Sequence, residues 1–136
     1  MKRIFYTTLT ISLLLLGSFL MAQTPTQKLD VIYFHATRRC PTCMAIEENT
    51  RKTLDTYFSN QLKNGTIKLT VINVDEDKNK AIAEKYEVTG SALFLTKTSN
   101  GKQSKKDMTD FAFSYARNNP DKFISDLKDK INELLK

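Results

Sequence analysis

Cys40 and Cys43 are the only cysteines of the chain, and only Pro41 and Thr42 separate them. The thiolate, not the thiol, attacks a disulfide or ligates a soft ion, and a free cysteine with a pKa of about 8.5 is mostly protonated at neutral pH. The neighbours therefore decide what this pair can do. Pro41 suits the first turn of a helix, where its missing N–H costs nothing. A helix starting there puts Cys40 at its mouth, where free backbone N–H groups and the dipole favour a negative sulfur. Arg38 and Arg39 add two permanent positive charges beside it, with plain surface charge as the alternative in so lysine-rich a chain. Helix and arginines together are expected to lower the Cys40 pKa. Cys43, one turn inward, is expected to be more buried and protonated, ready to attack a mixed disulfide at Cys40. Cys40 is thus the expected nucleophile and Cys43 the resolving residue, with Arg38, Arg39, Pro41, Thr42 and His35 supporting the site. His35, the single histidine, is a candidate proton carrier for Cys43. Simple packing at a strand end is its alternative role.

Three uses of such a pair compete: redox exchange, capture of a soft metal or metalloid such as arsenite, and an inert local disulfide. A structural staple constrains the unfolded chain more when it closes a longer loop. A bond between residues three apart closes almost none, which favours redox chemistry or capture. A resident metal is not expected, because one histidine and two cysteines do not complete a tetrahedral set.

The elements that must position the pair are legible from patterning. Leu29 to His35 is β-branched, aromatic and apolar on both faces, as a central buried strand should be. A helix is expected from about Pro41 to about Leu62, with Met44, Ile46 or Glu47, Leu54, Tyr57, Phe58 and Leu62 on its apolar face and Asn64-Gly65 as its stop. Thr66 to Val74 reads as a second strand and Lys78 to Tyr86 as a short helix carrying Ala81, Ile82 and Tyr86 on one side. Ala92 to Lys97 is a third strand. Asn100-Gly101 is a strong hairpin signal, with a return strand somewhere within residues 103–111. Asn119-Pro120-Asp121 opens a last amphipathic helix with Phe123, Ile124, Leu127, Ile131, Leu134 and Leu135 buried. The order is β-α-β-α-β-β-α. A right-handed crossover makes the first two strands parallel and the hairpin adds an antiparallel edge, giving an α/β fold with a central mixed four-stranded sheet flanked by helices.

Residues 1–22 stand apart. Lys2 and Arg3 precede an apolar run, and Met21-Ala22 closes it with a small residue, the three parts of a secretory signal peptide. Cleavage is expected after Ala22, leaving residues 23–136 as a single domain in the periplasm or otherwise outside the cytoplasm. A retained anchor is the competing reading, since Ile4 to Ala22 approaches the roughly 20 residues of a spanning helix. The whole chain carries a formal charge of +6, with 21 basic and 15 acidic residues. Those charges are interspersed, so nucleic-acid binding has no support beyond an excess of lysine that ordinarily marks a solvated surface.

A Cys-x-x-Cys between a first buried strand and a long helix, in this order of elements, resembles the thioredoxin-like superfamily over essentially all of residues 23–136. Residues Tyr33 to Cys43 also resemble the smaller bacterial nitrophenyl compound nitroreductase subunit ArsF family. The wider resemblance implies a thiol–disulfide oxidoreductase with no cofactor beyond a redox-active Cys40–Cys43 disulfide. The implied partner is a protein or a small thiol or disulfide, and the chain is expected to act as a monomer. Three positions depart from the superfamily pattern. Arg39 stands where a tryptophan usually precedes the first cysteine, and Tyr33 and Phe34 occupy the region of a buried aspartate. Ala92 replaces the cis-proline opposite the cysteines. A cis bond before a non-proline residue costs ~3 kcal/mol, so a trans Ser91-Ala92 bond is expected. Ser91 and Ala92 are still candidates to line the partner groove.

Overall fold

The computed structural model describes residues 27–136, so the expected leader, residues 1–22, lies outside the described residues. Four strands form one sheet: β1 (Lys28–His35), β2 (Ile67–Asn73), β3 (Ala92–Ser99) and β4 (Lys102–Asp107), in spatial order β2-β1-β3-β4. β1 pairs parallel with β2, and β3 runs antiparallel to both β1 and β4. The helices are α1 (Pro41–Tyr57), α2 (Ser59–Lys63), α3 (Lys80–Tyr86), α4 (Thr109–Tyr115) and α5 (Pro120–Leu134), with a single 3-10 turn at Asp77–Asn79 before α3. The expected β-α-β-α-β-β-α order and mixed four-stranded sheet are therefore present, as a thioredoxin-like fold.

Alternation along the central strands builds a core on each face of the sheet. Leu29, Val31 and Tyr33 of β1 and Leu93 and Leu95 of β3 face Ile46 and Leu54 of α1 and Phe123, Leu127 and Ile131 of α5, all essentially sealed from solvent. The intervening Ile32, Phe34, Ala92 and Phe94 turn to the other face and pack on Ile72 and Tyr86. Phe34, Tyr86 and Phe94 meet there as an aromatic cluster with ring centroids 5.0–6.1 Å apart. Because β1 is covered on both faces, its apolar run has no polar side to show. That is why it sits in the middle of the sheet.

The hairpin forms where Asn-Gly required it. Asn100 and Gly101 both take positive φ, 51° and 76°, and Ser99 pairs with Lys102 across a two-residue turn. Elsewhere the structure refines the expected boundaries. The long helix breaks at Phe58, whose φ of −131° leaves helical space while its ring is buried. Met44 and Tyr57, expected on the buried face of α1, are each about half exposed, at 51% and 50%. In their place Asn49, Thr50 and Thr53 face the core. On α3 the buried alanine is Ala83 rather than Ala81. The return strand stops at Asp107, and a further helix, α4, occupies the end of the span assigned to it.

Candidate functional site

β1 ends at His35, beside the start of β3, since Phe34 pairs with Ala92. The next five residues cross to α1, and they are tied down. The Thr37 backbone N–H donates to Asp75 Oδ2 at 2.7 Å, and Asn73 Nδ2 donates to the Thr37 hydroxyl at 3.1 Å. That backbone bond, seconded by the Thr37 hydroxyl, holds the Asp75 carboxyl below its ordinary pKa. Asn73 at the end of β2 and Asp75 just past it therefore brace the loop that delivers Cys40. Asp75 and Asn73 were not legible as site residues, because their link to Thr37 spans more than 35 positions of chain.

Cys40 is the N-cap of α1. Its backbone is extended, with φ −77° and ψ 160°, and Pro41 fills the first helical turn. The Cys43 N–H donates to Cys40 Sγ at 3.0 Å. The cap position ordinarily held by a side-chain oxygen is thus held by sulfur, and it satisfies one of the orphan donors of the first turn. Cys40 is exposed and Cys43 is only 8% exposed. The two are joined as a disulfide, with Cα atoms 5.0 Å apart. The expected division between an outer and an inner sulfur is present. Behind Cys43, Tyr33 is fully buried in β1 and its hydroxyl donates to the Cys43 carbonyl at 2.6 Å. This bond pins the first turn of α1 onto the central strand. Tyr33 stands in the region where the superfamily pattern has a buried carboxylate, and it brings a donor there without a charge.

The two arginines have separate fates. Arg38 is exposed. Arg39 is turned along α1, where its guanidinium pairs with Glu47 and lies over the Tyr33 ring, 5.7 Å from the centroid. Glu47 is shared, accepting from Arg51 Nε at 2.9 Å and Nη2 at 2.8 Å. Burial pushes the Glu47 carboxyl up, but the bonds from Arg39 and Arg51 outweigh it and leave its pKa below the ordinary glutamate value. Of the two charges expected beside Cys40, that of Arg39 has a counter-ion in Glu47. Glu47 was the residue missed. Its only sequence signal was the i,i+4 spacing to Arg51, which says nothing about Arg39.

His35 is half-buried and stacks near Tyr33, with ring centroids 6.0 Å apart. Its Nδ1 lies 2.9 Å from the Ala36 carbonyl oxygen, which accepts only from a protonated Nδ1. The neutral ring then keeps its free lone pair on Nε2. Pro41 is exposed and Thr42 half-buried in the first turn of α1. The Ser91-Ala92 bond is trans, as expected, with no cis peptide among the described residues. Ala92 is 6% exposed and packs with Phe34 and Tyr86, on the face of the sheet away from α1. Its side chain lines a depression of about 400 Å³ there, together with Tyr86, Phe94 and Lys105. The strand pairing leaves its backbone and half-buried Ser91 at the site's end of the sheet. Nearer the sulfurs, a shallow hollow of about 320 Å³ is lined by Arg39, Met44, Glu47, Glu48 and Arg51. No group of three or more metal-ligating side chains occurs among the described residues.

The chain has a thioredoxin-like fold with a Cys-Pro-Thr-Cys disulfide at the mouth of its first helix. Similar solved structures include a thioredoxin from Thermus thermophilus, 18% identical over 76% of this chain and 74% of that one, with a TM-score of 0.49. A thioredoxin from Trypanosoma brucei brucei is 20% identical over 77% and 76%, with a TM-score of 0.43, and a malarial protein is 22% identical over 73% and 96%, with a TM-score of 0.44. At such scores the fold assignment rests on this chain's own strand order and pairing. No family model and no curated protein matches the sequence, so the narrower resemblance of residues 33–43 gains no support.

Proposed function

We propose that this chain is an exported thiol–disulfide oxidoreductase working through Cys40 and Cys43. One observation carries the reading: Cys40, an exposed residue, caps α1 with its sulfur and accepts the Cys43 N–H, while Cys43 itself is buried. A donor already aimed at the sulfur stabilises negative charge there, and the helix dipole adds to it. In the reduced protein the Cys40 thiolate attacks one sulfur of a partner disulfide, and the other partner sulfur leaves as a thiolate. Cys43 then gives up its proton and attacks Cys40 Sγ, releasing the second partner sulfur as a thiolate. The partner gains two electrons, and the Cys40–Cys43 bond re-forms. Run backwards, the same steps oxidise a dithiol. The disulfide is the only redox group this cycle needs. His35, stacked near Tyr33, is the base we assign to the Cys43 proton.

Export is supported by the charged head, apolar run and small closing residue of positions 1–22. Among the described residues no helix is long and apolar enough to cross a membrane. Reduction of insulin by dithiothreitol, with wild-type protein and with Cys40→Ser, tests the exchange reading. Wild type should accelerate precipitation of the insulin chains and the variant should not; equal rates would refute it.

A further inference from the structure

The two edges of the sheet are built differently. β4, on one edge, runs Lys102-Gln103-Ser104-Lys105-Lys106-Asp107, with four charged residues of six and every residue exposed. Charge, lysine above all, keeps an edge strand from pairing with another chain. β2, on the other edge, runs Ile67-Lys68-Leu69-Thr70-Val71-Ile72-Asn73, with one charge in seven residues. Register decides which of its backbone groups are open. At the two ends of the parallel ladder, Leu29 N–H donates to the Thr66 carbonyl and Val74 N–H to the His35 carbonyl. Alternation between those ends turns the backbone groups of Lys68, Thr70 and Ile72 toward β1, and those of Ile67, Leu69 and Val71 outward. Among the described residues, nothing bonds the backbone N–H or C=O of Leu69 or Val71. The side chains of both pack on the core yet stay half-buried. β2 is thus an apolar, unguarded edge.

We propose that two copies of this chain pair antiparallel through β2, joining their four-stranded sheets into one continuous sheet. This departs from the expected monomer and does not depend on the exchange reading. An antiparallel edge is self-complementary, so one strand serves both copies about a two-fold axis. The register that overlaps all of β2 puts Thr70 on that axis. Leu69 then exchanges both backbone bonds with the partner's Val71, and Val71 with the partner's Leu69. Thr70 faces the partner's Thr70 in a close pair without backbone bonds, where two hydroxyls can bond each other. With cleavage after Ala22, the start of the chain is too short to take this edge instead. Residues 23–26 would first have to pass β2 from β1, two strand spacings or about 10 Å, and four extended residues span at most about 14 Å. The loop to Cys40 is braced by Asn73, at the end of β2. Antiparallel pairing therefore sets the two disulfides at opposite ends of the shared strands, each open to its own partner. A pair of seven-residue strands buries less than a standard interface of about 1,600 Å², so the dimer dissociates on dilution.

The test is sedimentation velocity over a series of concentrations on wild type, Thr70→Lys, Thr70→Glu and an equal mixture of the two variants. Either variant alone sets like charges opposite one another at the axis, and the mixture sets opposite charges there. Wild type should pass from monomer to dimer as concentration rises. Each variant alone should dimerise about fivefold more weakly, and the mixture should recover the wild-type constant or better. A wild type that stays monomeric throughout overturns the proposal. So does a dimer that neither variant weakens, or a mixture no tighter than its components. If circular dichroism shows a variant unfolded, hydrogen exchange on wild type decides. The Leu69 and Val71 amides should exchange more slowly as concentration rises, and exchange independent of concentration at both overturns the proposal.

Discussion

Burial divides the labour between the two sulfurs. Cys40 is reachable and capped, whereas Cys43 lies behind it with its carbonyl anchored by Tyr33. Loss of each should therefore fail differently. Cys40→Ser removes the attacking group and with it all disulfide cleavage. Cys43→Ser keeps the first attack and loses the release, so a covalent adduct with the partner should accumulate, visible as a mass increase that dithiothreitol reverses. No adduct with Cys43→Ser would contradict the assigned order of attack. Glu47 supplies a pH signature. Its folded pKa lies below the ordinary value of 4.5, so its contribution to stability is present above that value and is lost as pH falls through the folded pKa. The stability advantage of wild type over Glu47→Gln should be largest near neutral pH and shrink below about pH 4.5, as read from urea midpoints. An advantage that is constant down to pH 3 would show that the pairing contributes nothing. Thr50 is a third case: its hydroxyl is buried with no partner among the described residues. Replacing an unsatisfied hydroxyl with a methyl removes a desolvation cost, so Thr50→Val should stabilise by about 1 kcal/mol and raise Tm by roughly 4 °C. A lower Tm would mean that the hydroxyl is satisfied, by water for instance.

Helix α1 carries the site, and its buried face explains what patterning could and could not reveal. Pro41 marked its start and apolar spacing marked Ile46 and Leu54 correctly, but the expected helix ran on to Leu62, past the break at Phe58. The same spacing placed Met44 and Tyr57 inside, because a count of apolar residues has no means of recognising a polar face that satisfies itself. The core side of α1 uses Asn49, Thr50 and Thr53. Thr53 donates to the Asn49 carbonyl at 2.7 Å, and Asn49 Nδ2 donates to the Ala116 carbonyl at 2.8 Å, at the end of α4. Helix α4 was equally hidden. Seven residues with Thr, Asp and Ser among them carry little periodicity, and their helical state is settled by burial of Ala112 against the core. Asn49 is the polar tie between these two elements. Asn49→Ala strands a buried carbonyl and should cost about 1–3 kcal/mol, measured by urea unfolding. A change below a few tenths would show that α1 and α4 are held by apolar contact alone. Met44, left exposed beside the sulfurs, belongs with the hollow next to Arg39 rather than with the core.

At the scale of the whole chain, strand order was the most legible property, because each link had a local cause. A strand apolar on both faces must be central, a helix between two strands makes them parallel, and Asn-Gly forces a tight return. The ties across the active end, Thr37 to Asp75 and Arg39 to Glu47, depend on side chains meeting only after the sheet has formed. The N-terminal pattern belongs to this scale as well. The proposed export predicts that protein recovered from outside the cytoplasm of an expressing bacterium begins at Gln23, by intact mass. A chain that keeps residues 1–22 and sediments with membranes would favour the anchor instead. The exchange reading, however, depends on the charge state of one sulfur at the end of one helix. Alkylation of Cys40 in the reduced wild-type protein, followed from pH 4 to pH 10, measures that directly. An apparent pKa clearly below the value of about 8.5 for a free cysteine is the predicted result. A value at or above it would mean that α1 does not hold the thiolate, and would contradict the account.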